Sequence, residues 1–232
     1  MDFFSGDRFI EASGWILPYL PVTLEFVVIC VIFATLLGIL LAAVRIKKIP
    51  VLQQITTVFI SYMRGTPILV QLMVVYYGLP VLIYGLFGIN INRWSAFVFA
   101  EIAMVLNEGA FLSETIRGAI LAVPSTQTEA AYSIGMTKAQ AFLRIVLPQA
   151  ARTLVPAYGT TLVGILQGSS MLYTIGVMEI MMRARAYGSH TSHSFEAYAV
   201  CAVIYMTASL LIKFISARIE RRMNYGKEVH TA

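Results

Sequence analysis

Apolar residues along this chain are concentrated in five long stretches, which are separated by shorter polar intervals. Each stretch has about 20 or more mostly apolar residues, the length that an α-helix needs to cross a membrane. The five stretches are residues 20–44, 66–87, 95–121, 154–178 and 196–217. The pattern predicts an all-α integral membrane protein with five transmembrane helices.

Composition and charge agree with this prediction. The chain of 232 residues is 58% hydrophobic and 12% charged, with a net charge of +5, whereas a soluble domain has about a quarter of its residues charged. A basic chain could bind nucleic acid, but here the basic residues lie in short intervals between apolar stretches. With the N-terminus outside, every Lys and Arg except Arg8, Arg93, Arg183 and Arg185 falls on the inner side. The sequence therefore predicts an N-out, C-in topology.

The longest interval with polar residues, 123–148, has the local signals of two short helices. Thr126 and Glu129 have the T-x-x-E spacing of a capping box, which predicts the start of a helix at Thr126. Gly135 is the kind of residue that ends a helix in the left-handed conformation.

The same spacing of cap residues recurs after this glycine. Thr137 and Gln140 predict a second helix start, and Pro148 predicts its end. Two capped helices joined by a glycine turn are common in loops, so this arrangement alone does not define a function.

The third apolar stretch contains four polar side chains at membrane depth. Because ionisable groups are costly there, Glu101, Asn107, Glu108 and Glu114 are expected to face the protein interior or a water-filled cavity. Arg117 follows Glu114 by three residues, which predicts an ion pair on one helix face. Asn107 and Glu108 are candidates for substrate contact, with interhelical hydrogen bonding as the alternative.

The fourth and second stretches offer further candidates for substrate contact. Gln167, Ser169 and Ser170 lie near the middle of the fourth stretch, and Gln71 lies in the inner third of the second. Small and hydroxyl residues serve either close helix packing or exposure of backbone N–H groups to a ligand. No Lys or Arg lies near the midplane of any stretch.

Metal binding and catalysis find little support in the sequence. His190 and His193 are three residues apart in the predicted outer loop 178–193, without a third ligand, so a solvated loop is favoured over a metal site. The Walker A pattern is absent because Gly226-Lys227 is followed by Glu228. The chain is therefore predicted not to be an enzyme and to have no metal site.

The interval 123–148 also carries a family resemblance. Glu129-Ala130-Ala131, Gly135 and Ile145-x-Leu147-Pro148 have the spacing of the EAA motif, so the chain resembles the permease subunits of ABC importers. The resemblance implies a cytoplasmic coupling helix that docks into a groove of the ATPase subunit. The residues that it assigns to coupling are Glu129, Ala130, Ala131, Gly135, Met136, Leu147 and Pro148.

Three further segments, 63–72, 106–120 and 195–198, resemble the branch that imports polar amino acids, with cystine as one candidate substrate. The chain departs from this branch at Thr126, which stands in place of Gly, at Phe111, in place of Tyr, and at Gln167-Gly168, in place of Lys-Asp. The loss of that lysine leaves any charge-based gating role open.

This resemblance implies a type I importer permease that occupies the whole chain, 1–232, as one transmembrane domain in a bacterial inner membrane. It implies a second permease copy, identical or related, two ATPase subunits that bind ATP and Mg, and an extracytoplasmic binding protein that Arg183 and Arg185 could contact. No cofactor of its own and no nucleic-acid partner are expected. The alternative function is a stand-alone secondary transporter or channel, and a membrane-embedded enzyme is a third class.

Overall fold

Helices make up nearly all of the protein in a computed structural model that describes residues 4–224, and no β-strand occurs in that range. Gly226-Lys227-Glu228, the sequence that breaks the Walker A pattern, lies outside the described residues. In chain order the helices are α1 Gly6–Ile16, α2 Leu20–Ile46, α3 Leu52–Gly65, α4 Ile68–Phe87, α5 Ala96–Leu121, α6 Ser125–Ser133, α7 Lys138–Ile175, α8 Ile180–Thr191 and α9 Ser194–Asn224.

Four helical segments are long and apolar enough to cross a membrane, within the range that the structure describes. They are Gly6–Ile46, which joins α1 to α2 through the 3₁₀ turn Leu17–Tyr19, and α4, α5 and α9. A fifth span exists if α7 and α8, which are bent by 50° at a short break, count as one. The prediction of an all-helical membrane protein is confirmed, whereas the five-span count and the orientation remain predictions.

The prediction of a loop at 178–193 is wrong, because most of this segment is helix α8; its place on the outer side of the membrane remains a prediction. The α-helical part of α7, Leu147–Gly168, continues as the 3₁₀ turn Ser169–Ile175 and breaks at Gly176, whose φ is +84°. The chain then forms α8, which packs against α1 and α9. Buried apolar side chains drive this docking, among them Ile16, Ile180, Tyr187 and Val200.

Helices α2 and α5 have the most extensive contact of any two helices in the described range, and glycines let their backbones approach. A Cβ atom at Gly38 would lie 2.9 Å from the Cβ of Leu112, and one at Gly109 would lie 2.7 Å from Leu37. Such close approach through small residues is the usual way that membrane helices gain packing energy. The main core includes Phe26 of α2 and Met104 of α5, together with Leu72 of α4 and Leu166 of α7.

Candidate functional site

The segment 123–148, called the coupling segment below, begins with α6. The chain leaves Pro124 in an extended conformation, with φ −59° and ψ 138°, so the helix starts at Ser125. No side chain caps this start, and the predicted capping box at Thr126 is therefore wrong. The physical reason is that Pro124 fixes the turn into the helix one residue earlier, which places Thr126 inside the first turn.

The end of α6 is a Schellman turn. The N–H of Met136 donates to the carbonyl of Ala131 at 3.0 Å, and the N–H of Gly135 donates to the carbonyl of Tyr132 at 2.9 Å. Gly135 has φ +84°, the left-handed conformation that this motif requires. The prediction that Gly135 ends the helix is confirmed.

The start of α7 is a reciprocal cap. The Thr137 hydroxyl accepts from the N–H of Gln140 at 3.3 Å, and the Gln140 side chain accepts from the N–H of Thr137 at 2.9 Å. The capping box predicted at these two residues is therefore confirmed.

Pro148 does not end this helix, contrary to the prediction. A π turn at Phe142–Val146 directly precedes Leu147-Pro148, and the N–H of Leu147 donates to the carbonyl of Phe142. A wide turn makes room for the proline ring and for its missing N–H. The same combination occurs in α4, where the π turn Val74–Gly78 precedes Pro80. The coupling segment is therefore continuous with the helix that follows it.

The outward face of the coupling segment combines charge with apolar side chains. Glu129 and Ala130 are exposed, Tyr132 is 46% exposed and Ile134 is 75% exposed. The remaining residues assigned to coupling divide between exposed and covered positions: Ala131 is buried, Met136 is half-buried, and Leu147 and Pro148 are exposed. Exposed apolar area beside a charged side chain, as at Tyr132, Ile134 and Glu129, offers a surface to which another protein can bind.

Gln71 and Asn107 form a buried polar pair where α3, α4 and α5 meet. The Asn107 amide donates to Gln71 Oε1 at 2.9 Å and to the Met63 carbonyl at 3.1 Å. The Gln71 amide donates to the same carbonyl at 2.9 Å and to the Thr66 hydroxyl at 2.7 Å. Both side chains are thus engaged in interhelical hydrogen bonds, the alternative considered for Asn107.

Coupling between these two amides can be measured with a double-mutant cycle. We expect Asn107→Ala and Gln71→Ala to show a coupling energy of about 0.6–1.7 kcal/mol, the range found for hydrogen bonds between membrane helices. The free energy of unfolding of the single and double variants gives this value. Strictly additive losses would mean that the pair does not hold the helices together.

Glu114 is the centre of an ion-pair cluster at the end of α5. It pairs with Arg117, at 2.8 Å, as its spacing predicted, and also with Arg45 at the end of α2. The Arg64 guanidinium lies over the Phe111 ring, 5.4 Å from the centroid. Glu114 therefore has a structural role in tying α2 to α5.

Glu108 lies next to Asn107 in sequence but has a different environment. It is half-buried, and no hydrogen bond to it is present among residues 4–224. Its role as a substrate contact stays a prediction. Glu101, two helical turns earlier, is 9% exposed, and neither of its oxygens has a hydrogen-bond partner within the described range.

No hydrogen bond among the described residues joins the candidates in the fourth stretch to Gln71 or Asn107. The Ser169 hydroxyl is fully buried and donates to the Leu166 carbonyl at 2.6 Å, and that of Ser170 donates to the Gln167 carbonyl at 2.6 Å. The Gln167 side chain is exposed. With Thr160 and Gly164 it forms an exposed stripe along α7, because residues three and four apart share a helix face.

Glu179 is a structural residue that sequence reasoning missed. It is fully buried, and its carboxylate accepts from the N–H of Met182 at 2.9 Å and from the hydroxyls of Thr23 and Tyr205, each at 3.5 Å. The side chain thus caps α8 and joins it to α2 and α9. A carboxylate directly before a helix start is a cap signal. The signal was missed because this segment was predicted to be a loop and no helix start was expected there.

The two arginines of α8, and His193 just after its end, also contact other parts of the protein. The Arg183 guanidinium lies over the rings of Trp15 and Tyr19, at 4.5 and 5.1 Å from their centroids. Arg185 lies over Tyr173 at 5.5 Å, and His193 shares a hydrogen bond with Arg8. Arg183 therefore anchors α1 to α8, while Arg185, whose side chain is exposed, remains a candidate contact for a partner.

Known proteins resemble this chain over nearly its full length. Residues 34–225 match the family described as binding-protein-dependent transport system inner membrane component. The probable amino-acid permease protein YxeN of Bacillus subtilis is 38% identical over 215 residues, which cover 93% of this chain and 94% of that protein.

The L-cystine transport system permease protein TcyL of the same organism is 39% identical over 205 residues, covering 88% of this chain and 85% of that protein. The crystal structure of an amino acid ABC transporter with histidines matches with a TM-score of 0.83 and 30% identity, covering 94% of this chain and 99% of that one.

Proposed function

The chain belongs to the family of binding-protein-dependent transport system inner membrane components, and from this premise we propose that it is the membrane-spanning subunit of an ATP-driven amino-acid importer. An extracytoplasmic binding protein delivers the amino acid, and two ATPase subunits bind ATP and Mg. Other members of the same branch, whose names include amino-acid and L-cystine permeases, support this choice of substrate.

The geometry of the coupling segment carries the proposal. A rigid Schellman turn at Gly135 and a capping box at Thr137 fix the angle between α6 and α7. Because α7 stays helical from Lys138 to Ile175, through the π turn at Phe142–Val146 and the 3₁₀ turn at Ser169–Ile175, a movement of α6 is transmitted along it into the membrane. The exposed Glu129, Ala130, Tyr132 and Ile134 form the face that docks on the ATPase.

A second permease copy, identical or related, completes the translocation path. Exposed polar groups in a membrane helix are costly unless protein or water covers them. The stripe of Thr160, Gly164 and Gln167 is exposed in the single chain. A second copy facing it would create a polar path between the two subunits, and Gln167 would be in the position to contact the substrate.

Glu108 recognises the ammonium group of the substrate in this proposal. It is half-buried and has no hydrogen-bond partner among the described residues, so a ligand cation can pair with it. Gln71, Asn107, Ser169 and Ser170 bond to the protein in this conformation and act by holding the helices that form the path. Cystine and other polar amino acids, which all carry an ammonium group, are candidate substrates.

Topology follows from the same assignment. The N-terminus lies outside and the coupling segment and C-terminus lie inside a bacterial inner membrane, in agreement with the distribution of Lys and Arg. In this orientation α1 and α8 lie on the outer side, where Arg185 can contact the binding protein.

Reconstitution with the ATPase and the binding protein tests the function. We expect ATP-dependent uptake of one class of labelled amino acid from a panel of cystine, glutamine, histidine, arginine and glutamate. Ion-gradient-driven flux through this chain alone would show a secondary transporter or channel instead and would overturn the proposal.

The role of Glu108 has its own test in the same assay. We expect Glu108→Gln to reduce uptake about tenfold or more, because a hydrogen bond to a charged group contributes about 1.5–3 kcal/mol. Glu220→Gln, the same exchange near the end of α9, is the control and keeps uptake near the wild-type rate. Unchanged uptake in Glu108→Gln would remove Glu108 from the substrate site while leaving the importer assignment intact.

A further inference from the structure

A cavity of about 380 Å³ lies between α2 and α5 and contains one polar side chain, Glu101. Ile29 and Phe33 of α2 and Ile102 and Val105 of α5 contribute its apolar walls. Both carboxylate oxygens of Glu101 are buried and have no hydrogen-bond partner within residues 4–224. The coupling segment and the exposed stripe on α7 do not include this cavity.

A buried carboxylate without a donor is costly in an apolar setting. The salt bridges of the described residues do not involve Glu101, and Glu25, the neighbouring carboxylate that acts on it electrostatically, adds negative charge. A ligand that stabilises this site must therefore bring a cation or a strong hydrogen-bond donor, and it must have an apolar part to fill the remaining volume.

The position of the cavity indicates where such a ligand comes from. Phe33 is 55% exposed and Val98 is 38% exposed, so the cavity opens on the apolar face that membrane helices present to lipid. Glu101 lies six residues after Ser95, or about 9 Å along the helix. Arg93 and Trp94 directly precede Ser95, the residue before the start of α5. Arg and Trp are residue types that anchor helices at the membrane surface. Glu101 is therefore close to the boundary between lipid headgroups and acyl chains.

We propose that the cavity between α2 and α5 binds an aminophospholipid, with the primary ammonium of its headgroup paired to Glu101 and an acyl chain along Phe33, Ile102 and Val105. The ammonium supplies the missing donors and the charge, and the chain replaces the empty apolar volume. An anionic lipid is excluded by the two carboxylates. A quaternary ammonium, which has no N–H group, binds more weakly.

Lipid binding to the purified full-length chain tests this proposal. The protein is titrated with phosphatidylethanolamine, phosphatidylcholine or phosphatidylglycerol in detergent, and bound lipid is measured by native mass spectrometry together with the thermal midpoint. We expect preferential binding of phosphatidylethanolamine and a rise of the midpoint. We expect the affinity of the Glu101→Gln variant for phosphatidylethanolamine to be about tenfold lower or more, because the charge-assisted hydrogen bond is lost.

Two further variants make the result decisive. Glu220→Gln, at the far end of α9, is the matched control and keeps the wild-type affinity. Val105→Trp fills the cavity while keeping the carboxylate, and we expect it to lose phosphatidylethanolamine binding as well. This second variant preserves the test if Glu101→Gln fails to fold.

Three results would overturn the proposal. Equal affinity for phosphatidylglycerol and phosphatidylethanolamine would mean that the cavity does not distinguish lipids by headgroup charge. Undiminished binding to both Glu101→Gln and Val105→Trp would place the lipid elsewhere. A lipid-free dimer that Glu101→Gln disrupts would show that a second copy of the chain covers this cavity.

Discussion

We expect the Gly135→Val variant to lose ATP-dependent amino-acid uptake while it is inserted in the membrane in normal amounts. Gly135 has φ +84°, a conformation that costs a β-branched residue about 1–3 kcal/mol. Apart from the two neighbouring residues, no atom of the described residues lies within 4 Å of the position of a new Cβ, so the penalty comes from the backbone. The Schellman turn opens, and α6 no longer keeps its angle to α7. Uptake into proteoliposomes and the amount of inserted protein measure the two effects.

Two control variants separate the turn from general damage. Gly135→Asn keeps a residue that tolerates the left-handed conformation, and we expect it to retain much of the uptake. Gly85→Val introduces the same side chain in α4 at a position with open space and without a positive φ, and we expect wild-type uptake. Full uptake by Gly135→Val would contradict the role of this turn in coupling.

The second large effect is expected at Glu179. Replacing it by leucine removes the acceptor of the Met182 N–H and of the Thr23 and Tyr205 hydroxyls. Loss of a helix cap costs about 1 kcal/mol, and each buried donor left without a partner costs about 1–3 kcal/mol. We therefore expect Glu179→Leu to lower the free energy of unfolding by about 3 kcal/mol or more, with α8 detaching first.

Cysteine labelling locates this loss of stability. Cys201 is buried beside the Ile180 carbonyl, with 3.6 Å between its Sγ and that oxygen, whereas Cys30 lies in the main core. Detachment of α8 in Glu179→Leu thus exposes Cys201 to a thiol reagent before Cys30 reacts. Glu179→Gln keeps an acceptor for Met182, and we expect it to recover most of the protection. Labelling of Cys201 in Glu179→Leu no faster than in the wild-type protein would show that the carboxylate does not hold α8.

Local signals in the sequence were sufficient for much of the candidate site. The turn at Gly135, the cap at Thr137 and the ion pair of Glu114 with Arg117 depend on residues at most a few positions apart, and their chemistry can be read directly from spacing. The cap at Thr126 failed for an equally local reason, because Pro124 starts the helix one residue earlier than the T-x-x-E spacing suggests. Pro148 failed because a π turn can accommodate a proline that would otherwise end a helix.

The sequence by itself determined the helical membrane class, the family resemblance and the geometry of the coupling turn, since hydrophobic length and short-range hydrogen bonds govern these features. Only the tertiary structure decided which polar groups meet. Asn107 pairs with Gln71 across 36 positions of sequence, and Glu179 with Thr23 across 156. Glu101 lies beside a cavity and has no hydrogen-bond partner among residues 4–224. Spacing along one helix defines the face on which a side chain lies, but the packing of the other helices determines what that face meets.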